Sequence, residues 1–440
     1  MRKTVAIAGG GLAGLSAAVF LAQKGFHVEI FESSPKLGGR AYSFFDKGKE
    51  MFFDNGQHLL AGWYKNTFEY LKIIGTYDHL KFQKNLEIDF VNSSKQKLKL
   101  KTHGLKPPFN LLSGLISFPG FSAKEKLSLL KLRALMNGEV KGTFSNAADL
   151  LESLHQTGNL MKYFWVPLVF AVFNTNAQNV CSDIFMNVMK KGFSDEKGFM
   201  LVLPELDLNQ VFVDPAADFL TKEGSRINLG VRIVKAVIGT GEDHFVIEDG
   251  DKIKADYFIS AVPFFDFPEV FYDVKSIEVK GAEKLRTSSI VSSHFFLNEE
   301  GDTSFLPQNE LGMTGLVGTK VQWIFKKSEK YFSTVISGAD ELGITGMSND
   351  EIAELCLTEL EKCFDEFSRN VVKDYKVIRE KRATFIPDNH SMDCRPSQKT
   401  EVKNFFVAGD WTETGLPSTI EGAIMSAKIC TDHILSAEGI

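Results

Sequence analysis

The sequence predicts an α/β fold built in two parts, on three observations. A short apolar strand near the amino terminus runs into a glycine-rich turn and then a helix. Two further strand blocks suited to the same sheet lie far along the chain, one in the middle and one at the end. The stretches between these blocks are too long to be loops and carry strands and helices of their own. At 440 residues the chain is too long for one ordinary domain and short for three, so two are expected. The first is a Rossmann-like nucleotide-binding domain of discontinuous sequence, residues 1–85, 205–270 and 395–440. The second is an α+β cap over the substrate, residues 86–204 and 271–394.

Thr4–Ala8 (TVAIA) reads as a buried strand that enters the pattern Gly9-x-Gly11-x-x-Gly14. Leu15, Ala18, Val19, Leu21 and Ala22 then recur near helical spacing, and Gly25 closes the helix. Val28–Phe31 is a second strand, ending at Glu32. Dinucleotide chemistry asks for these residue types at this spacing. Gly9 allows a tight turn, Gly11 lets the backbone approach a pyrophosphate, and Gly14 permits close helix–strand contact. Leu12 and Ala13 lie between the last two glycines, where the helix N-terminus offers unpaired N–H groups to phosphate. Glu32 is placed to accept the ribose hydroxyls.

The distant blocks complete this domain. Arg232–Gly239 and His244–Asp249 read as a hairpin, and Asp256–Val262 as a return strand stopped by Pro263. Asn404–Ala408 is a strand that ends in Gly409-Asp410-Trp411. Ser418–Leu435 reads as a helix, with Ser418 as N-cap and Glu421 closing a capping box. The second insertion shows strands around Ile290–Leu297, Val321–Phe325 and Tyr331–Ile336. A helix starts at Ser348, with Ile352, Cys356, Leu360 and Phe364 on one face. Lys95, Lys97, Lys99 and Lys101 alternate as on an edge strand blunted by charge. The apolar stretch Phe109–Met136 follows them, beyond Lys106. Basic-then-apolar order is also what a protein working at a membrane surface presents.

Composition sets limits. A net charge of -6 argues against a nucleic-acid partner. The longest apolar run, Phe164–Phe173, is interrupted by Pro167 and falls far short of the ~20 residues of a membrane-spanning helix. The five cysteines are odd in number and widely spaced, which suggests neither a disulfide framework nor a metal site. The amino terminus mimics a secretory signal, but glycines break its apolar stretch. A cytoplasmic protein is expected, at most peripheral on the membrane. Phe is heavy, 38 against 9 Tyr, which fits a large core and an apolar cavity wall.

Pro35-Lys36-Leu37-Gly38-Gly39-Arg40 follows the acid at short range. Its paired glycines and guanidinium can meet one diphosphate from the side opposite the first turn. Together the two stretches resemble the GG-doublet class of FAD-dependent oxidoreductases, which share a glutathione-reductase-like fold. Amine oxidases, phytoene desaturases and protoporphyrinogen oxidases belong to that class. The resemblance implies tightly bound FAD. It places the backbone of Val234 at adenine and Asp410, after Gly409, at the ribityl chain. It also puts the helix start Glu421-Gly422-Ala423 at the isoalloxazine edge, although the following Ser426-Ala427 departs from the usual pair.

Asp54-Asn55-Gly56-Gln57-His58-Leu59-Leu60 is an unusual form of the third motif of that class. Phe164–Leu168 (FWVPL), Phe173-Asn174-Thr175, Arg379–Phe385 and the long run Ala408–Ala423 accompany it. This set is similar to the hydroxysqualene dehydroxylase family, essentially end to end. The similarity implies reduction of hydroxysqualene to squalene, with the allylic hydroxyl lost as water, and leaves the electron donor unnamed. Such a reaction needs a proton donor, a dry apolar slot and a position for the alkene beside the flavin. His58 is the first candidate donor. Asp54 is a second, or a brace for the same loop, and Lys320 is a third. Two alternatives share the fold: a desaturase with the opposite electron flow, and a flavin amine oxidase. The scarcity of Tyr disfavours the aromatic cage an amine would need.

Overall fold

Thr4–Ala8 is a strand because Val5–Ala8 is an unbroken apolar run that ends where Gly9 takes a left-handed conformation, φ +107°. It lies at the centre of a five-stranded parallel sheet. The order across the sheet is Arg226–Leu229, His27–Glu32, Thr4–Ala8, Tyr257–Ser260 and Phe405–Val407. The strand order reverses beside Thr4–Ala8, and the crevice outside the carboxyl ends of the strands at such a point is where α/β sheets bind ligands. The helix Leu12–Gln23 is buried on nearly every side. It packs against the sheet strand His27–Glu32 and against the carboxy-terminal helix Ile420–Glu438, so it needs no polar face. The computed structural model describes residues 2–440 apart from 107–108, 133–134, 136–139, 141, 195–196 and 272–280. The end of the apolar stretch Phe109–Met136 therefore falls partly outside the described residues.

A second, seven-stranded sheet carries the rest of the function. Its order is Val372–Phe385, Thr287–Leu297, Tyr331–Ser337, Trp323–Ser328, Met313–Val317, Glu87–Asn92 and Lys97–Lys101. All neighbours are antiparallel except Met313–Val317 with Glu87–Asn92. Successive side chains of a strand point to opposite faces, and the two faces of this sheet differ. Val291, Phe295, Leu297, Ile324, Phe332 and Ile336 pack against Ile352, Ala353, Cys356 and Leu360 of the helix Asn349–Cys363. The other face carries Ser292, His294, Tyr331, Phe325 and Lys327. The helix starts with the expected capping box from Ser348 to Glu351.

Two expectations change. The last helix is capped by Thr419, whose hydroxyl accepts from the Gly422 N–H at 3.0 Å, not by Ser418. Ser418 turns its hydroxyl to Asp410 instead, and Glu421 points away to another helix, so no capping box forms. The lysine alternation is an edge strand whose charges are already paired. Lys95 meets Asp365, Lys97 meets Glu366, and Lys99 and Lys101 share Glu87. Each lysine of the row therefore stands beside a carboxylate. The expected hairpin is present as Ile233–Val237 and His244–Ile247.

Candidate active site

The glycines of the first turn are glycine for different reasons. A Cβ on Gly14 would sit 1.9 Å from the Gly9 carbonyl oxygen, so helix and turn can touch only through glycine. A Cβ on Gly9 would sit 2.8 Å from the Ala261 carbonyl oxygen, at the end of the neighbouring strand. Gly11 is different. Its φ of -73° suits any residue, and a Cβ there would meet nothing closer than the Gly39 Cα at 3.8 Å. The chain itself gives Gly11 no reason to lack a side chain. A group from outside, passing close to the backbone, supplies one, and the pyrophosphate of a dinucleotide is such a group.

The second glycine pair closes on the first. The Gly38 N–H donates to the Gly10 carbonyl at 2.9 Å, and Gly39 adopts φ +60° with its backbone facing Gly11. Glu32 sits under this junction. One of its oxygens accepts from the Gly10 N–H at 2.7 Å and the other from the Ser34 N–H at 2.8 Å. A carboxylate has about four lone-pair positions, so capacity for ribose hydroxyls remains. Leu12 and Ala13 are buried in the first helical turn, whose N-cap Gly11 has no side chain to occupy the free N–H groups. Val234 lies at a register shift in its strand, with its side chain exposed.

The carboxy-terminal motif joins the doublet directly. Arg40 pairs with Asp410 at 2.5 Å and also donates to the Ala383 carbonyl at 2.9 Å. The guanidinium expected at the diphosphate also forms an ion pair that links two predicted cofactor residues. Gly409 takes φ +152°, and its N–H donates to the Ser426 hydroxyl at 2.8 Å. That contact gives Ser426 a purpose at the position where it departs from the related pattern. Arg395 lies buried below and donates to Trp411 O, Thr412 O and Thr414 Oγ1, holding the loop that presents Asp410. Desolvation lowers its pKa to about 10.

Glu421 does not face the cofactor cradle with its side chain. Its carboxylate accepts from Asn66 N, Asn66 Nδ2, Thr67 N and Thr67 Oγ1 at 2.7–3.1 Å, capping the helix Lys65–Ile73. Burial still raises its pKa against these bonds. What the helix start can offer a ligand is backbone, at Gly422 and Ala423.

The third motif bridges cradle and sheet. Asn55 Nδ2 donates to the Arg40 carbonyl at 2.9 Å, and the Asn55 N–H to Tyr42 O at 3.0 Å. Just before it, Phe53 plugs into the polar face of the large sheet, edge-on to His294 at 5.2 Å and to Tyr331 at 6.1 Å. Asp54 is a brace: its Oδ1 accepts from Ser43 Oγ at 2.7 Å and from the Leu208 N–H at 3.1 Å. Gly56 lies beside Ser292, whose hydroxyl has no hydrogen-bond partner. His58 is in the same wall. Desolvation is the main influence on it and lowers its pKa; Asp54 opposes this and Lys327 adds to it. It is neutral at pH 7. Lys320 lies elsewhere, bonded to the Leu342 carbonyl at 3.0 Å.

Sequence reasoning missed four members of this wall: Gln57, His294, Lys327 and Tyr331. His294 Nδ1 and the Tyr331 hydroxyl share a hydrogen bond at 2.6 Å, while the His294 Nε2 is buried without a partner. Its pKa is pushed down to about 3 by desolvation, then by Lys327 and Lys376. Period-two alternation carried a signal for Trp323 and Phe325, and it breaks at Lys327, where the strand register shifts. A surface cavity of about 260 Å³, lined by Leu86, Leu105, Leu111 and Phe199 among others, contains none of these residues.

A parallel sheet with two glycine turns locked together at its switch point, and an acid beneath them, defines a dinucleotide-binding oxidoreductase. The chain belongs to the flavin containing amine oxidoreductase family, which matches residues 12–435, and its cofactor is FAD. It is 29% identical to the hydroxysqualene dehydroxylase of Zymomonas mobilis, over 98% of each chain. It is 27% identical to that of Rhodopseudomonas palustris, over 99% of each. An oxidoreductase structure from Methanosarcina mazei covers 98% of this chain and 100% of its own with a TM-score of 0.74, at 16% identity. That likeness establishes the shared fold.

Proposed function

We propose that the protein reduces hydroxysqualene to squalene, with loss of the allylic hydroxyl as water. The observation that carries this reading is the face of the seven-stranded sheet turned away from the helix Asn349–Cys363. Trp323, Phe325 and Val335 make it apolar, and it ends in Ser292, His294, Tyr331 and Lys327 beside the third motif. An apolar chain bearing one hydroxyl suits such a wall. The hydroxysqualene dehydroxylase relatives, matched along their whole length, supply the particular substrate.

The residues divide the work. Residues 1–85, 205–270 and 395–440 hold the dinucleotide: Gly9, Gly11, Gly14, Gly38 and Gly39 admit its pyrophosphate, and Glu32 binds ribose. Val234 and the Arg40–Asp410 pair flank its two ends, with the backbone of Gly409, Gly422 and Ala423. Reduced FAD is a hydride source when bound. Residues 86–204 and 271–394 cover the substrate and keep water from a carbon that becomes electron-poor as its hydroxyl leaves. Gly56 keeps the approach to the wall open, and neutral His58 accepts a hydrogen bond from the substrate hydroxyl and so orients it.

Lipid contact is part of this reading. Leu105, Phe109, Ile116, Leu127 and Leu130 are exposed on adjacent segments, and they form an apolar surface through which a membrane-dissolved substrate is drawn up. Among the described residues no helix is long and apolar enough to cross a membrane. The deciding experiment is an anaerobic single turnover. The chemically reduced holoenzyme should convert hydroxysqualene to squalene in equal amount to its bound FAD. Conversion of phytoene or of an amine by oxidised enzyme, with hydroxysqualene untouched, would overturn the assignment.

A further inference from the structure

Lys327 is the one charged side chain on the substrate wall that has no carboxylate within hydrogen-bonding range among the described contacts. Its ammonium donates to Gln57 Oε1. Much of its side-chain surface is uncovered, yet desolvation is the dominant influence on it and lowers its pKa. The ammonium stands among protein atoms beside the third motif while part of the side chain stays uncovered. A lysine at the outer surface would feel little desolvation, and a lysine packed in a core would have no uncovered surface.

The third motif links Lys327 to the cofactor cradle. A continuous set of bonds leads there: Gly39 precedes Arg40, whose carbonyl holds Asn55, and Gln57 two residues on receives the Lys327 proton donor. The charged and titratable groups around Lys327 come from every neighbouring element. Asp54 and His58 lie on the third motif, His294 on Thr287–Leu297, Tyr331 on Tyr331–Ser337, and Lys376 on Val372–Phe385. His58 and His294 are both held neutral by burial, and Tyr331 is raised by desolvation first and Asp54 second. Asp54 is spent on Ser43 and Leu208. Among the described groups of this wall, Lys327 is the cation that no carboxylate holds, since Lys376 pairs with Asp46.

We propose that Lys327 is the general acid that protonates the departing hydroxyl of the substrate; this rests on the reductive dehydroxylation proposed above. A proton moves from Nζ to the hydroxyl oxygen, the C–O bond breaks, and its electron pair leaves with water. The two electrons that close the carbon come, as hydride, from the reduced flavin, and solvent returns a proton to the amine before the next turnover. Losing its charge as the carbon gains one also suits the site, since a permanent cation there would oppose the step. Gln57 holds the ammonium in place, and its carbonyl oxygen cannot take the proton away.

The test uses the full-length holoenzyme with Lys327→Met, Lys327→Arg and, as a control in the same sheet region, Lys320→Met. In anaerobic single turnover Lys327→Met should slow hydroxysqualene reduction by the ~10²–10⁴-fold of a lost general acid. The acetate ester of hydroxysqualene, whose leaving group needs no proton, should lose less than about tenfold in the same variant. Lys327→Arg keeps the charge but is a far weaker acid, so it should stay slow, while Lys320→Met runs at the wild-type rate. A second readout needs no turnover. Amine-directed labelling of oxidised holoenzyme, followed by peptide mass spectrometry across pH, should find Lys327 reactive at lower pH than exposed Lys24 and protected by hydroxysqualene. Full-rate Lys327→Met, equal losses on alcohol and ester, rescue by Lys327→Arg, or labelling unaffected by hydroxysqualene would each overturn the proposal. Failure of the parent reading shows separately, as wild-type enzyme that leaves hydroxysqualene unchanged.

Discussion

The glycine cradle and the substrate wall lie side by side, yet they are made in opposite ways. The cradle is local: Gly9 to Gly14, Glu32, and Gly38 to Arg40 stand close in sequence, and their backbone hydrogen bonds close within that stretch. The wall is assembled from the third motif and from three strands of the large sheet, more than two hundred residues downstream. In the cradle each residue type is dictated by backbone geometry. On the wall a residue's role is set by which face of a strand it occupies and by what packs around it. Lysine shows the difference most clearly. Lys97, Lys99, Lys101 and Lys327 look alike in sequence; three are surface ion pairs on an edge strand, and one donates to Gln57 of the third motif and is desolvated.

The largest expected effects test the cradle and separate two kinds of glycine. Gly14→Val should prevent folding of the nucleotide domain, because its Cβ collides with a backbone oxygen that cannot move without the strand. Soluble yield and calorimetric melting measure this. Gly11→Val meets no protein atom at close range and should fold with near wild-type melting as apoprotein, while retaining no FAD after gel filtration. If both variants fail to fold, Gly11 is structural and the open space beside it is not a ligand position. If Gly11→Val keeps its FAD, the cradle assignment fails.

A smaller effect tests the wall. His294 is neutral in the fold, with its pKa down at about 3, against about 6.5 for an unfolded histidine. Because the folded value is depressed, the unfolded chain binds the extra proton. The contribution to stability is therefore complete above pH 6.5 and is lost as pH falls toward 3. Between pH 6.5 and 5 the loss from this residue should be about 1.5–2 kcal/mol. Urea unfolding of wild type and His294→Gln at the two pH values measures it as a difference, which cancels the other titrating groups. The glutamine amide still hydrogen-bonds Tyr331. An identical pH response in both proteins would mean that His294 is not enclosed, and the contrast with the cradle would narrow.

Much of the cradle was legible because backbone constraints write themselves into sequence as glycines at fixed spacing. The sheet strands and the helix from Ser348 were legible from periodicity and capping. What escaped was determined at a distance. Ser418 is an N-cap by pattern, but Asp410 is near enough to take its hydroxyl, and Thr419 caps instead. Glu421 looked like a cofactor residue, but the helix Lys65–Ile73 lacks an N-cap side chain of its own and recruits it. Lys320 precedes the strand Trp323–Ser328, whereas Lys327 lies in an irregularity near its end, between Lys326 and Ser328, and reaches Gln57 of the third motif.

The smallest effect concerns the lysines that the sequence makes conspicuous. Lys97 and Lys101 are more than half exposed and each already faces a glutamate. Exposed pairs of this kind contribute ~0–1 kcal/mol. Lys97→Gln and Lys101→Gln should therefore leave melting nearly unchanged, and flotation on anionic liposomes should change by less than about twofold, because neutralised charges attract few lipids. Leu127 and Leu130 are 67% and 63% exposed. Returning each to an apolar surface is worth ~1.5–3 kcal/mol, so Leu127→Ser with Leu130→Ser should weaken flotation by tenfold or more. Salt should matter little to the wild-type protein for the same reason. A steep fall in flotation with salt, or a larger loss from the lysine variants than from the leucine pair, would restore the basic strand as the lipid contact. It would also show that the ion pairs along Lys97–Lys101 open when a membrane competes for them.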